Sequence, residues 1–289
     1  MNSTWITLVL TGLLGTAYAT EGASWGYGKT NKQAYGPRDW GKVSQYCNGR
    51  SQSPINIIRK TAVRKNLRPL VVEFENEQGE MTGTFSNNGH SPTFTVDKAQ
   101  GGASVVNPID EQKFILDQFH FHFGCTDDSG SEHTVNGRAY AAEMHMVFYN
   151  SKYGNLGDAA TKPDGLLVIG TFLHKSKTAS KELTKLALSL PNIKTEESKV
   201  NGIQVKLDRL VHGLSSGRRS YYTYKGSLTT PGCYESVRWV VLKTPISIDE
   251  RVLKNFRLLQ ATHGYHHGKL CNNYRPTLPL NGRRVQLKG

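Results

Sequence analysis

The chain has 289 residues with 36 lysines and arginines against 23 acids, a formal charge of +13, and 37% hydrophobic residues. The cations are dispersed and nowhere form a run of five, which fits a solvated surface or one that attracts anionic substrates or an acidic extracellular matrix. No nucleic-acid-binding module accompanies them, so nucleic acid is not an expected partner.

Residues 1–19 carry no charged side chain, hold an apolar stretch from Trp5 to Leu14 and finish in Ala17-Tyr18-Ala19. This reads as a secretory signal peptide, to be removed from the mature chain. The stretch falls short of the ~20 residues that cross a bilayer, and nothing later is longer. The ending NGRRVQLKG is polar and basic, without the hydrophobic tail of a lipid-anchor signal. A secreted, extracellular protein with no membrane anchor is therefore expected. By length the remaining part is nearer two domains than one, although large β domains reach this size as one unit. No internal repeat or linker divides it. The arm at 21–50 is rich in glycine and aromatic residues and is expected to wrap an edge of a sheet.

Apolar runs at 69–76, 113–124, 140–150, 165–174 and 236–248 are rich in Val, Ile, Phe and Tyr and bounded by Gly, Pro, Asn and Asp, the pattern of strands. Helical spacing occurs twice, at Leu183, Leu186, Ala187 and Leu190, and at Val252, Leu253, Phe256 and Leu259 after a Ser247-x-x-Glu250 capping box. The whole is mainly β with a few helices. Cys47, Cys125, Cys233 and Cys271 contain no C-x-x-C, so a cysteine zinc site is not expected, and in a secreted chain three full disulfide pairings are open.

The strand around QFHFHFG puts His120 and His122 on one face while Phe119, Phe121 and Phe123 point to the other. Two desolvated imidazoles side by side each need a partner, and a metal serves both. Catalytic zinc takes three protein ligands and keeps a fourth position for water. AEMHMVF supplies His145 as the third ligand, with Glu143 on the same face to accept from its other ring nitrogen. Gln118, two residues before His120, can do the same for that ring. Alone, each of these histidines would more often be a hydrogen-bonded core residue.

Taken together, SWGYGK, QSPINI, NNGH, QFHFHFG, SEHTVNGRAYAAEMHMVFYN, PDGLLVIGTFL, YKGSLTTPGC and NYRPTLPLNGR resemble the α-class carbonic anhydrases, in order, from Trp25 to the end. The resemblance implies one catalytic domain over 20–289, an α-carbonic-anhydrase fold built on a large twisted, mostly antiparallel sheet of about ten strands with short peripheral helices, and a secreted member of the family. It implies Zn2+ on His120, His122 and His145, and reversible hydration of carbon dioxide to bicarbonate by a zinc-bound hydroxide. It places Thr229 against that hydroxide with Glu132 accepting the threonine proton, and Thr230 beside it. Val147, Val168, Leu228 and Trp239 become the apolar wall for the substrate, Asn273 a carbonyl partner for His122, and His90 the proton shuttle. Sulfonamides and anions are the expected inhibitors. The family's secreted members join a cysteine of the arm to one after SLTTP, here Cys47 and Cys233.

Cys125 and Cys271 lie outside that common pattern, and both a second disulfide and two separate thiols remain open. Phe123 stands where the family usually has tryptophan, and Gly232 where a second proline is usual. Two other functions compete. A binding or matrix protein of this fold without catalysis would lack a ligand or Thr229 or Glu132, all of which are present, and a zinc esterase would need polar groups for an acyl substrate. His263, His266 and His267 form a separate cluster, expected to sit in solvent.

Overall fold

The computed structural model describes residues 24–30, 34–76, 79–261 and 268–289. The expected leader and the cluster of His263, His266 and His267 lie outside the described residues.

In chain order the strands are β1 (Asn56–Ile57), β2 (Val63–Arg64), β3 (Val72–Phe74), β4 (Glu80–Asn87), β5 (Pro92–Val96), β6 (Ala103–Val106), β7 (Lys113–Phe123), β8 (Thr134–Val135), β9 (Ala142–Asn150), β10 (Leu166–Lys175), β11 (Lys199–Lys206), β12 (Tyr221–Gly226), β13 (Val237–Leu242), β14 (Ile246–Ile248) and β15 (Gln286–Lys288). Four short α-helices accompany them among the described residues, α1 (Leu156–Ala160), α2 (Lys181–Ala187), α3 (Leu207–Leu210) and α4 (Glu250–Phe256). Among the described residues thirteen strands share one mixed sheet. Its continuous path runs β11-β4-β5-β7-β9-β10-β13-β12-β15-β2, ten strands, with β14 beside β10 and β6 joining β3 to β7. Most neighbours are antiparallel, while β10 pairs in parallel with β13 and β14, and β15 with β2. The mainly β architecture with few short helices agrees with the fold that the sequence implied.

Local physics sets where elements stop. The run at 236–248 becomes two strands because Pro245, having no N–H, cannot continue a ladder. The run at 69–76 is a strand only over Val72–Phe74. Helix α4 is capped by Asp249, whose Oδ1 accepts from Val252 N at 2.9 Å, so Ser247 is no cap but part of β14. Helix α2 ends at Ala187, and Leu190 opens a separate turn. Within the arm, Trp25, Tyr27 and Trp40 pack edge to face, and Trp40 is sealed beside Cys47 and Cys233.

The sheet buries both faces. One carries the larger core, to which β7 contributes Phe114 and Leu116, then Phe119, Phe121 and Phe123. The change from even to odd numbers occurs at Asp117, where the register against β9 jumps from Leu116–Phe148 to Gln118–Val147. This bulge turns Gln118, His120 and His122 to the opposite face without losing the phenylalanines from the core. Phe123 belongs to that core, packing on Phe256 with ring centroids 5.2 Å apart, so its replacement of tryptophan alters the core and not the histidine face.

Phe119 stacks on Phe94 at 4.7 Å and meets Phe121 edge to face. Phe119→Ala should cost about 3–5 kcal/mol of folding stability, and Asp249→Ala about 1 kcal/mol. Urea unfolding midpoints check both, and a Phe119→Ala loss no larger than that of Asp249→Ala would contradict the packing described.

Candidate metal centre

Across the β7–β9 ladder His120 stands directly opposite His145, and His122 opposite Glu143. On β10, Gly170 faces His145, and a Cβ there would lie 3.0 Å from Glu143 Oε1, so a glycine leaves room for that carboxylate. The three imidazoles cluster with ring centroids 4.6 to 5.3 Å apart.

Each ring is held on its far side by a group that accepts. His120 Nδ1 donates to Gln118 Oε1 at 2.9 Å, His122 Nδ1 to the Asn273 carbonyl at 2.6 Å, and His145 Nε2 to Glu143 Oε1 at 2.8 Å. A neutral imidazole has one N–H, so each inner nitrogen keeps its lone pair. One ring nitrogen from each of His120, His122 and His145 lies within 4.8 Å of the other two. His122 Nε2 is buried with no hydrogen-bond partner, a state that is costly unless a cation takes the lone pair. The donor set fits zinc. A second group, His133, Glu143 and His145, is compact too, but its carboxylate already accepts from three N–H groups and has little left for a cation.

The three imidazoles line one cavity. Val147, Val168, Leu228 and Trp239, which pack in one apolar cluster, line it too, as do Thr229 and Thr230. Asn88, Ser91, Thr93 and Gln118 add polar lining, and Trp25, Tyr27 and His90 border the same cavity.

The sequence model of the family described as eukaryotic-type carbonic anhydrase matches residues 35–289. Carbonic anhydrase 7 of Homo sapiens is 39% identical over 267 residues, covering 91% of this chain and 96% of the human protein. Carbonic anhydrase 7 of Mus musculus is 38% identical over 267 residues, with the same coverage. The chain belongs to the eukaryotic-type carbonic anhydrase family. It is a carbonic anhydrase enzyme, and zinc is its cofactor.

Glu132 and His90 have surroundings that the sequence did not foresee. Glu132 Oε1 accepts from the Arg275 main-chain N at 2.8 Å. Its Oε2 makes no hydrogen bond and lies 3.5 Å from His122 Nε2 and 3.8 Å from His145 Nδ1. The hydrogen bond from Thr229 to Glu132 is therefore not formed in this arrangement, in which the free oxygen faces the imidazoles instead. His90 lies flat on Trp25, ring centroids 3.7 Å apart and planes 9° apart. Its Nδ1 is buried without a partner, and burial pushes its pKa down to about 4.

Several carbonic anhydrase site residues were not singled out from the sequence. His133 donates from Nδ1 to Glu143 Oε1 at 2.7 Å and from its main chain to Oε2 at 2.8 Å. Its Nε2 accepts from Tyr224 Oη at 2.6 Å, and Tyr224 meets Ser53 Oγ at 2.9 Å. The only cue was its position directly after Glu132 in SEHT. Arg275 was hidden in NYRPTLPL: its guanidinium reaches Gln52 Oε1 and the Ser53 carbonyl, both at 2.9 Å, and the Cys47 carbonyl at 3.4 Å, tying the end of the arm and the residues after it to the Glu132 support. The Thr229 loop is held by the disulfide Cys47–Cys233, and Gly232 there has φ +107°, which proline cannot adopt. Cys125 and Cys271 form a second disulfide.

Burial above all, and then the nearby His122 and His145, hold the His120 pKa well below the ordinary histidine value, and burial also lowers that of His122. Both groups bind protons more readily in the unfolded chain. As pH falls below the unfolded value of ~6.5, stability is therefore lost. Zinc-free protein followed by urea unfolding from about pH 7.5 to about pH 5.5 should lose up to about 1.4 kcal/mol per pH unit for the sealed His122 alone. A flat profile would mean that these rings are solvated in the folded state.

Proposed function

We propose that this carbonic anhydrase works outside the cell, made with a leader at 1–19 and acting as one catalytic domain over 20–289. It hydrates carbon dioxide reversibly to bicarbonate and a proton at a centre formed by His120, His122 and His145. The observation that carries the reading is the convergence of three imidazole lone pairs, each fixed from behind by Gln118, Asn273 or Glu143. Two disulfides support an oxidising compartment. No helix among the described residues is long and apolar enough to cross a membrane.

Zinc, when bound, supplies Lewis acidity and lets water act as a nucleophile at neutral pH, chemistry for which carbonic anhydrases are themselves the standard example. The protein supplies everything else. Neutral imidazoles leave the cation's charge uncompensated, and Glu143 keeps the His145 proton outward, so no ligand turns away. Val147, Val168, Leu228 and Trp239 receive a small apolar substrate that offers no hydrogen for bonding. The Thr229 main-chain N–H meets negative charge as it grows on the substrate oxygens. Its hydroxyl donates to Glu132 when that carboxylate turns from the imidazoles, and is thereby left as an acceptor toward the nucleophile. Thr230 lies beside it to receive the anionic product.

His90 carries the proton out. On Trp25 its basicity is too low to hold one at neutral pH, so the ring accepts from the watery side of the cavity, where its ordinary value near ~6.5 returns. Sulfonamides and small anions compete for the same centre. An acidic extracellular matrix is the partner that a charge of +13 favours.

Stopped-flow hydration on the purified mature chain, with zinc content measured on the same sample, tests the reading. One zinc per chain with fast, sulfonamide-sensitive hydration is expected; stoichiometric zinc without hydration would mean a binding protein on this fold. His145→Ala should lose zinc on dialysis, and unchanged metal content would remove it as a ligand. His90→Ala should slow turnover in weak buffer by as much as about 100-fold, with recovery on adding imidazole buffer. An undiminished rate there assigns the proton to another group.

A further inference from the structure

We propose that the disulfide Cys125–Cys271 is a positioning brace for the metal ligand His122, clamping onto the end of β7 a two-residue segment that stands in for a missing strand. The inference rests on reading His122 as a zinc ligand.

Strand β7 has neighbours on both sides only as far as His120. On one side β9 continues to the end, with His122 opposite Glu143 and Phe123 opposite Ala142. On the other side the pairing with β5 stops at Thr93–His120. The main-chain groups of Phe121 and Phe123 beyond that point are buried and still require partners.

Asn272 and Asn273 provide them. Asn273 Nδ2 donates to the Phe121 carbonyl at 2.9 Å, and Phe123 N donates to Asn273 Oδ1 at 2.8 Å. Asn272 N donates to the Phe123 carbonyl at 2.8 Å, while Cys125 N donates to Asn272 Oδ1 at 2.9 Å. The same Asn273 turns its own carbonyl to His122 Nδ1. Two side-chain amides and the Asn272 main-chain N–H thus complete the ladder, and the Asn273 carbonyl aims the imidazole.

The patch is short. A strand gains from many successive pairs, whereas here two residues meet the end of β7, and Asn272 has φ +62°, a region few residues other than glycine adopt. Leu270 N to the Leu259 carbonyl on one side, and Arg275 on Glu132 on the other, fix where the segment runs, and Asn273 Nδ2 also reaches the His90 carbonyl; only the crosslink ties the segment covalently to the end of β7. The crosslink falls at the edge of this patch. Cys125 lies two residues after Phe123, and Cys271 immediately precedes Asn272, so the bond encloses the hydrogen bonds just described. Cys271 is itself packed in the larger core, which anchors the far end. A general gain in stability would follow from any crosslink. The other disulfide, Cys47–Cys233, gives the comparison: it joins residues 186 apart, against 146 here, and sits in a different cluster with Trp40.

The test uses zinc-loaded full-length protein and follows zinc release to excess chelator with a metallochromic dye, below the unfolding temperature. Unfolding midpoints of zinc-loaded and zinc-free forms are measured in parallel. C125S/C271S should release zinc about tenfold faster or more, with a narrower gap between loaded and free midpoints. C47S/C233S should lower both midpoints yet release zinc at the parental rate. Parental release and an unchanged gap in C125S/C271S would overturn the proposal, as would equal acceleration in both double variants, which marks a loss of general stability.

Should C125S/C271S not accumulate as folded protein, the parental chain is opened with a trialkylphosphine, which with water becomes the phosphine oxide as each disulfide becomes two thiols. Thiol mapping by mass spectrometry then assigns the opened bond. Faster release that tracks opening of Cys125–Cys271 supports the brace, and release indifferent to it overturns the brace. A parental chain that takes up no zinc, or an H122A variant that holds it as tightly, removes the ligand assignment itself.

Discussion

Three imidazoles that each carry their single proton outward are the constraint on which the site depends. A ring that flipped, or took a second proton, would direct N–H at the cation and repel it. The structure prevents this with three different acceptors, a side-chain amide from Gln118, a main-chain carbonyl from Asn273 and a carboxylate from Glu143. The strongest hold is the charged one. Behind Glu143, His133, Tyr224 and Ser53 continue the chain of hydrogen bonds, so the carboxylate is fixed as firmly as the ligand it fixes.

That arrangement is only possible because the central sheet is two-sided. Strands β7 and β9 send phenylalanines and methionines to the larger core and polar groups to the other face, where a second apolar cluster containing Val147, Val168 and Trp239 becomes one wall of the cavity. The bulge at Asp117 reconciles two demands on β7, keeping its early and late apolar residues in one core while placing Gln118, His120 and His122 together. Loops complete what the strands begin. Arg275 supports Glu132 through its main chain while its guanidinium secures the arm, and Cys47–Cys233 fastens the same arm to the loop of Thr229. Trp25, near the start of that arm, stacks on His90, so the arm itself lines the cavity.

The sequence by itself determined the pieces that follow local periodicity. Alternation along 118–124 placed Phe119, Phe121 and Phe123 on one side and His120 and His122 on the other, and along 140–150 it set Glu143 beside His145, since successive strand residues must face oppositely; the bulge at Asp117 that brings Phe114 and Leu116 into the same core is not written in that pattern. The same alternation put Gln118 and Glu143 beside their rings. Helical spacing located α2 and α4, though the cap fell on Asp249 and a proline divided the run at 236–248, because ends depend on single hydrogen bonds that periodicity does not record.

Tertiary structure decided everything that joins distant residues. His133 meets Glu143 and Tyr224, Asn272 meets the end of β7, Trp25 covers His90, and Cys125 pairs with Cys271. No periodic pattern announces such contacts, since each is made by residues whose separation along the chain is set by the whole topology. Orientation is likewise a tertiary property. Sequence names Glu132 and His90, but only packing turns one carboxylate oxygen toward two imidazoles and seals one ring nitrogen against an indole, because burial and the direction of a lone pair exist only once the chain has closed around them.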